Sequence, residues 1–293
     1  MARSITCTNN DGSTITFGET AFSPFLLAHI DGIYAVENDV VITNNSMADG
    51  GVYQGSVAKV RNIVLTITDR PENRYALPSR EVLYKLFPKG TKGTLSYNED
   101  GEIRKIDYYV ESIRSGAANK RLFTISLLCP DPFFYAASPI TVYMAAWNGA
   151  FEFPHNFIAI GEEIGYRSAS RLQAITNENA ADNIGMDIVI SANGSVSNPS
   201  VIRVESNEHI TVGYSGKDLN MVAGDSLRIT TSTNDKHVYF THNGVTEEIN
   251  QYLTEDSVFI QLMRGTNSIG YDADVGLDNM VVEVSYRLRY EGA

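Results

Sequence analysis

The stretch CPDPFFYA, Cys129–Ala136, places two prolines around an aspartate and follows them with three aromatic residues. Neither proline has an N–H group, and each one biases the preceding residue toward extended geometry. Cys129–Pro132 can therefore neither continue a sheet ladder nor enter a helix. We expect one structural region to end here and another to begin.

The two flanks of this stretch differ in charge. Residues 1–134 carry 14 Lys and Arg against 15 Asp and Glu, whereas residues 135–293 carry 9 against 20, within a formal total of −12. A protein that binds DNA or RNA through phosphate contacts needs a basic surface, so nucleic-acid binding is not expected. Because 293 residues are enough for two hydrophobic cores, we predict two domains, 1–134 and 135–293.

No segment predicts membrane insertion or a metal centre. The opening residues, MARSITCTNND, contain no apolar signal region, and the most apolar stretch, Pro139–Trp147, is too short to cross a bilayer. Cys7 and Cys129 are the only cysteines, so neither a disulfide framework nor a zinc cluster is expected. We expect no cofactor and no bound metal.

The first half alternates apolar and polar residues in the manner of antiparallel strands. One segment differs: between Ser79, a plausible N-cap, and Pro88, the apolar residues Leu83 and Phe87 share a helical face. The last strand, Arg121–Leu128, is apolar on both faces, which predicts that both are covered. These features predict an N-terminal β-sandwich with one short helix.

A protruding hairpin is predicted at Val36–Val57, where an apolar run leads into a polar, Gly-rich tip before a strand resumes. An isolated two-stranded ribbon is marginally stable, so such a hairpin needs a partner surface. A long mobile loop on a monomer is the alternative. On the hairpin interpretation, the residues expected at an oligomer interface are Val40, Val41, Ile42, Val52 and Tyr53.

The second half repeats strand and turn. Turn signals such as Asn193-Gly194 and Asn243-Gly244 recur about every 8–12 residues, which is typical of an antiparallel β-sandwich. CPDPFFYA would then lie between two β domains. Its aromatic residues Phe133, Phe134 and Tyr135 are predicted to be buried in the seam between them. The predicted fold class is mainly β with two domains.

Catalytic groups are not evident, and we expect no enzyme. His237 and His242 are five positions apart on one predicted strand, so their side chains point to opposite faces and cannot share a metal. Glu247 and Glu248 diverge for the same reason, whereas glycoside hydrolysis needs two carboxyl groups facing one gap. Convergence of carboxylates from distant strands is left open, which keeps a polysaccharide hydrolase as a less favoured function.

Sugar binding by the second half is the main alternative function. Trp147 with the neighbouring Asn148 offers an aromatic platform beside an amide, a combination suited to a glycan. Packing of the ring in the core is the other use of such a residue. On this alternative the chain would be a carbohydrate-binding protein that recognises a host cell surface.

The order of these elements resembles that of the distal tail proteins of bacteriophages with long non-contractile tails. The resemblance rests on DGGVYQGSV, RNIVLTI, SREVLYKLF, KGTLSYNEDGEIRKIDYYVESI and CPDPFF in the first half. In the second half it rests on NPSVIRVE, LNMVAGDSLRITT, VFIQLMRGTNSIGY and VEVSYRLRYEG. It spans nearly the whole chain, although residues 145–183 depart from the pattern.

The resemblance implies a homohexameric ring in the virion tail tip, made in the bacterial cytoplasm. The N-terminal domain would close the ring with its hairpin as a belt. The C-terminal sandwich, similar to galectins and carbohydrate-binding modules, would point outward. The implied partners are the tail tube protein, the tail-tip hub protein and, at the periphery, a receptor-binding protein. The nearly neutral first half suits self-contact in a closed ring, and the acidic second half suits a solvated exterior.

Overall fold

The computed structural model describes residues 3–18, 25–44, 49–69, 79–116, 121–149, 165–169, 171–178 and 183–293, with backbone alone for 145–149 and 165–169. The chain divides into two compact units: one contains the chain up to Ala137 together with Arg289–Ala293, and the other is Ser138–Leu288. This division differs from the predicted one at residue 134 in two respects. The boundary follows Ala137, and Arg289–Ala293 belong to the first unit, where Arg289 and Tyr290 pair with strand β10 (Phe134–Ala136).

Both units are built mainly from β-strands. In the first unit they are β1 (Arg3–Asn9), β2 (Thr14–Gly18), β3 (Phe25–Asp31), β4 (Asn38–Asn44), β5 (Gly51–Ala58), β6 (Arg61–Asp69), β7 (Lys92–Glu99), β8 (Glu102–Ser115), β9 (Leu122–Cys129) and β10 (Phe134–Ala136), with helix α1 (Ser79–Leu86) before β7. In the second unit they are β11 (Ile140–Gly149), β12 (Gly165–Ala169), β13 (Leu172–Asn177), β14 (Met186–Ala192), β15 (Val196–Arg203), β16 (Glu208–Thr211), β17 (Asn220–Met221), β18 (Ser226–Ser232), β19 (Asp235–His242), β20 (Val245–Glu248), β21 (Gly265–Val275) and β22 (Met280–Tyr286). Strand β23 (Arg289–Tyr290) returns to the first unit, and short 3₁₀ turns cover Asn250–Tyr252 and Leu277–Asn279.

Seven strands of the first unit close into a barrel in the order β8-β7-β1-β2-β3-β6-β9, because β9 pairs with both β6 and β8. The pairs are antiparallel except β2–β3, which is parallel. Strands β10 and β23 extend this sheet from β8. The predicted N-terminal β-sandwich is therefore wrong: the sheet closes on itself, which leaves no free edge within the seven strands.

The barrel core is formed by alternate residues of each strand, together with α1. Phe17, Phe25 and Tyr108 are among the largest side chains that are fully buried there. Helix α1 contributes Leu83, and Phe87 follows directly after it, with its ring centroid 6.2 Å from that of Phe17. The short helix predicted from the sequence is thus present, and its apolar face packs on the barrel.

The second unit contains two antiparallel sheets that contribute to one hydrophobic core. The larger has seven strands in the order β12-β11-β22-β14-β18-β19-β20, and the smaller has the order β13-β21-β15-β16, with β17 paired to β15. Ile188 and Val282 from the larger sheet lie in the same buried cluster as Val201 and Ile269 from the smaller. The prediction of a mainly β chain is confirmed, and α1 is the one α-helix among the described residues.

The turn between β19 and β20 shows how local sequence sets a hairpin. Asn243 and Gly244 both have positive φ, at 50° and 77°. Two-residue hairpin turns of this type require positive φ at both positions, which favours the Asn-Gly pair. The turn predicted there from sequence is therefore present.

Candidate assembly surface

Strands β4 and β5 form a separate two-stranded sheet, here called the ribbon (Asn38–Asn44 and Gly51–Ala58). Within the described part of the chain they pair only with each other. The register runs from Asn38 opposite Ala58 to Asn44 opposite Gly51, and a bulge at Gln54 shifts it between Val41 and Ile42. Among the described residues, the ribbon therefore has no strand pairing with the barrel sheet.

Both faces of the ribbon are apolar. Cross-strand register and alternation place Val40, Ile42 and Tyr53 on one face and Val41, Val52 and Val57 on the other. The exposed fractions of these six side chains range from 51% for Val52 to 70% for Val57. Contiguous exposed apolar surface of this kind marks interaction sites. A two-stranded ribbon has two faces, so covering one against its own barrel would still leave the other exposed.

The five residues predicted for an oligomer interface all lie on the ribbon and are exposed. Their contact with a second copy stays a prediction. Sequence reasoning missed Val57, which faces the same side as Val41 and lies opposite Asp39. The sequence does show Val57 as the last apolar residue of VYQGSV. However, the bulge at Gln54 interrupts the alternation, so the face on which Val57 lies cannot be deduced by counting residues.

The base of the ribbon is held by a few polar contacts. Lys59 N donates to the carbonyl of Glu37 at 2.8 Å, and Lys59 Nζ lies 2.9 Å from Asp39 Oδ1. The hydrogen bond to Asp39 raises the pKa of Lys59, so the ion pair stays charged. Beside it, a pocket of about 190 Å³ includes Gly32 and Arg61 in its lining.

The aromatic residues of CPDPFFYA have partners in the first unit. Phe134 is fully buried in the barrel core, the ring of Phe133 lies 4.5 Å from the Arg289 guanidinium, and the Tyr135 hydroxyl donates to Asp107 Oδ1 at 2.9 Å. Strand β9 ends at Cys129, as the prolines predicted. The same sheet nevertheless continues through β10, so the stretch does not end the first unit. A role for these aromatics in the seam between units stays a prediction.

Trp147 and Asn148 lie on β11, where their backbones pair with those of Arg167 and Tyr166. Their side chains lie outside the described residues. Glycan contact by this pair therefore stays a prediction.

Titratable groups of the second unit form separate pairs. His237 Nδ1 lies 2.8 Å from Glu248 Oε1, and His242 Nδ1 lies 2.8 Å from Asp225 Oδ1. Among the residues that the structure describes, no group of three or more His, Cys, Asp or Glu could hold a metal ion. In the same residues, no helix has the length and apolar character needed to span a membrane.

Two carboxylates from distant parts of the chain converge on one asparagine. The Nδ2 amide of Asn198 donates to Asp218 Oδ1 at 2.9 Å and to Asp274 Oδ2 at 2.8 Å, and its Oδ1 accepts from the Leu219 N–H at 2.9 Å. Asn198 is buried and has a positive φ of 48°. Both acids therefore help to hold Asn198 in its left-handed conformation.

The two cysteines are packing residues of the barrel. Cys7 and Cys129 are both free and buried. Burial raises the pKa of Cys129 to about 12 and also raises that of Cys7. Thiols that stay protonated are poor nucleophiles and poor metal ligands.

The chain is similar, over 98% or more of the given sequence, to solved structures of phage proteins. No family model matches the sequence, and no curated protein matches it. The crystal structure of SPP1 Dit (gp 19.1), described as a paradigm of hub adsorption apparatus in phages that infect Gram-positive hosts, aligns with a TM-score of 0.67. The alignment covers 98% of this chain and 99% of that one at 14% identity. This chain has the Dit fold.

Two baseplate structures show the same fold. The phage P2 baseplate in its activated conformation with Ca aligns with a TM-score of 0.54 at 10% identity. The corresponding structure with Sr aligns with a TM-score of 0.53 at 11% identity. In both cases the alignment covers 100% of each chain. The resemblance to phage distal tail proteins is therefore confirmed at the level of the Dit fold, over both units.

Proposed function

We propose that this protein is a structural component of a bacteriophage tail tip, in which six copies close into a ring through the first unit. The ribbon carries the proposal, because both of its faces are apolar on a chain with the Dit fold. A ribbon that contacts a different surface of the next copy makes a heterologous interface. Such an interface either closes into a ring or grows without limit.

In this proposal the two units have different functions in the tail tip. The first unit, with a formal charge of −1, forms the ring and connects the tail tube protein to the tail-tip hub protein. The second unit, with a formal charge of −11, faces outward as a galectin-like sandwich, where a receptor-binding protein attaches. The mechanism is geometric and requires no catalytic group.

Carbohydrate binding by the second unit is the second candidate. Cross-strand register places five residues in one row across the outer face of the larger sheet: Tyr143, Glu283, Val189, Arg228 and Tyr239. Tyr143 is 62% exposed, and Arg228 Nη2 lies 2.6 Å from Asp187 Oδ2. Four strand spacings separate the two tyrosines by about 19 Å, which would suit an extended glycan stacked at both ends.

The mass of the full chain in solution, together with negative-stain images, tests the proposed function. We expect a species of six copies that appears as a ring. A strictly monomeric protein, even at high concentration or mixed with tail components, would overturn the ring. If that monomer binds cell-surface glycans and loses binding in Tyr143→Ala, the second candidate is favoured instead.

A further inference from the structure

Arg61, the first residue of β6, is a buried cation whose hydrogen bonds go to backbone carbonyls. It is 6% exposed; its Nε donates to Pro132 O at 2.6 Å, and its Nη1 donates to Gly32 O at 2.6 Å and to Tyr34 O at 2.8 Å. Its Nη2 donates to Glu291 O. Burial lowers the pKa of Arg61, and the nearby Cys129 and Glu291 side chains offset this only in part. A buried charge is tolerated when its donors are satisfied, so these carbonyls must be held in place together.

The acceptors come from three separate segments of the first unit. Gly32 and Tyr34 lie in the loop that leads from β3 into the ribbon, and Pro132 lies in CPDPFFYA. Glu291 follows β23 and is far away in sequence from the other three acceptors. A guanidinium presents its donors in a rigid planar fork, which a lysine ammonium on a flexible stem cannot reproduce.

The segment Arg289–Ala293 holds the same loop directly. Ala293 N donates to Ile33 O at 2.9 Å. A Cβ added to Gly292 would lie 3.0 Å from the carbonyl carbon and oxygen of Tyr34, so the two backbones run in close contact. Arg104 Nη1 donates to Gly292 O at 2.6 Å and secures the other side of the segment. The chain that enters the ribbon is therefore fixed on one side by Arg61 and on the other by this segment.

We propose that Arg61 and Glu291–Ala293 form a clasp that sets the direction of the ribbon, so that Arg61 is a positioning residue for assembly. The ribbon pairs with no other strand among the described residues, and its entry loop decides where its apolar faces point. Only the expected effect of the clasp on ring assembly depends on the proposed function. Its effect on the entry loop is independent of whether rings form.

The test combines amide hydrogen exchange with the mass of the full chain in solution. Arg61→Lys keeps the charge and removes the fork, whereas deletion of Glu291–Ala293 leaves Arg61 intact and removes one acceptor and the Ala293 donor. In both variants we expect exchange of the Lys59 amide, which donates to Glu37 O at the end of the entry loop, to rise about tenfold or more, while exchange in β9 stays unchanged. We also expect loss of the ring.

Arg289→Gln is the matched control. It breaks the ion pair between Arg289 Nη2 and Asp131 Oδ1, at 2.5 Å, and leaves in place the four carbonyls that Arg61 binds and the Ala293 donor. We expect native exchange of the Lys59 amide and intact rings. An equal effect of Arg289→Gln, or a rise in exchange throughout β9, would mean that the variants lower the overall stability of the first unit. Either result would refute the clasp.

Two further outcomes distinguish failure of the clasp from failure of the proposed ring. If the variants of a monomeric chain still show the expected rise in exchange of the Lys59 amide, the proposed function fails and control of the entry loop stands. If Arg61→Lys leaves exchange of the Lys59 amide unchanged, positioning of the ribbon by Arg61 is refuted. It is also refuted if this exchange rises but the rings persist.

Discussion

The ribbon of the first unit and the β19–β20 hairpin of the second are both exposed antiparallel pairs, but their surfaces differ in chemistry. Every residue of β4 and of β20 is exposed. Strand β20 ends in Glu247 and Glu248, and Glu248 pairs with His237 on β19. The ribbon instead presents valine, isoleucine and tyrosine on both faces. Charge on an edge strand discourages pairing with other chains, so exposure alone does not indicate an interface.

The largest expected effect comes from charge placed on the ribbon. Val41 and Ile42 lie on opposite faces, and we expect Val41→Glu and Ile42→Glu each to disperse the ring. Burying an unpaired carboxylate at an interface costs about 3 kcal/mol or more, which corresponds to a loss of association of about 100-fold or more. Light scattering after size-exclusion chromatography measures the mass of each variant.

Val245→Glu on β20 is the control, because Val245 is 61% exposed, similar to the ribbon residues. We expect its mass to match that of the unmodified protein. Dispersal by Val245→Glu as well would remove the distinction between the two hairpins.

A smaller effect is expected when β20 is made to resemble the ribbon. The double change Glu247→Val and Glu248→Val leaves an apolar free edge, and we expect new concentration-dependent association, about tenfold above background. Sedimentation velocity at several concentrations detects it. Glu283→Val on the central strand β22 adds an apolar residue without a free edge, and a similar response there would mean that hydrophobicity alone drives association.

The smallest effect concerns barrel stability apart from the ribbon. Burial raises the pKa of Asp107, but hydrogen bonds from Thr94, Lys92 and Tyr135 outweigh it, and the net pKa lies below the usual 3.8. Asp107→Asn should lower the free energy of unfolding at pH 7 by about 1 kcal/mol, since the carboxyl is partly exposed. We expect ring formation to be unchanged.

The pH dependence of this variant follows from the sign of the shift. A carboxyl with a depressed folded pKa contributes stability above its unfolded pKa and loses that contribution as pH falls through the folded pKa. The difference between Asp107→Asn and the unmodified protein should therefore shrink below about pH 4. Denaturant unfolding at pH 7 and pH 3 checks this, and a constant difference would contradict it.

Much of the local structure was predictable from residue patterns. Alternation located most strands, the apolar face of Ser79–Leu86 predicted α1, and Asn243-Gly244 predicted a tight turn. The barrel was not predictable, because a strand has the same two-residue period in a barrel as in a sandwich. Leu128 is an example. Both faces of its strand were expected to be covered, but Leu128 lies on the outside of the barrel and is 38% exposed.

The sequence by itself determined which residues form strands, where the turns fall and that the Val40–Ile42 run sits beside a polar tip. Only the tertiary structure decided that β8 meets β9, that Arg289–Ala293 return to the first unit and that Arg61 binds carbonyls of three segments. The physical reason is that secondary structure follows from neighbours along the chain. Backbone carbonyls and N–H groups are the same in every residue, so their distant partners depend on position in space.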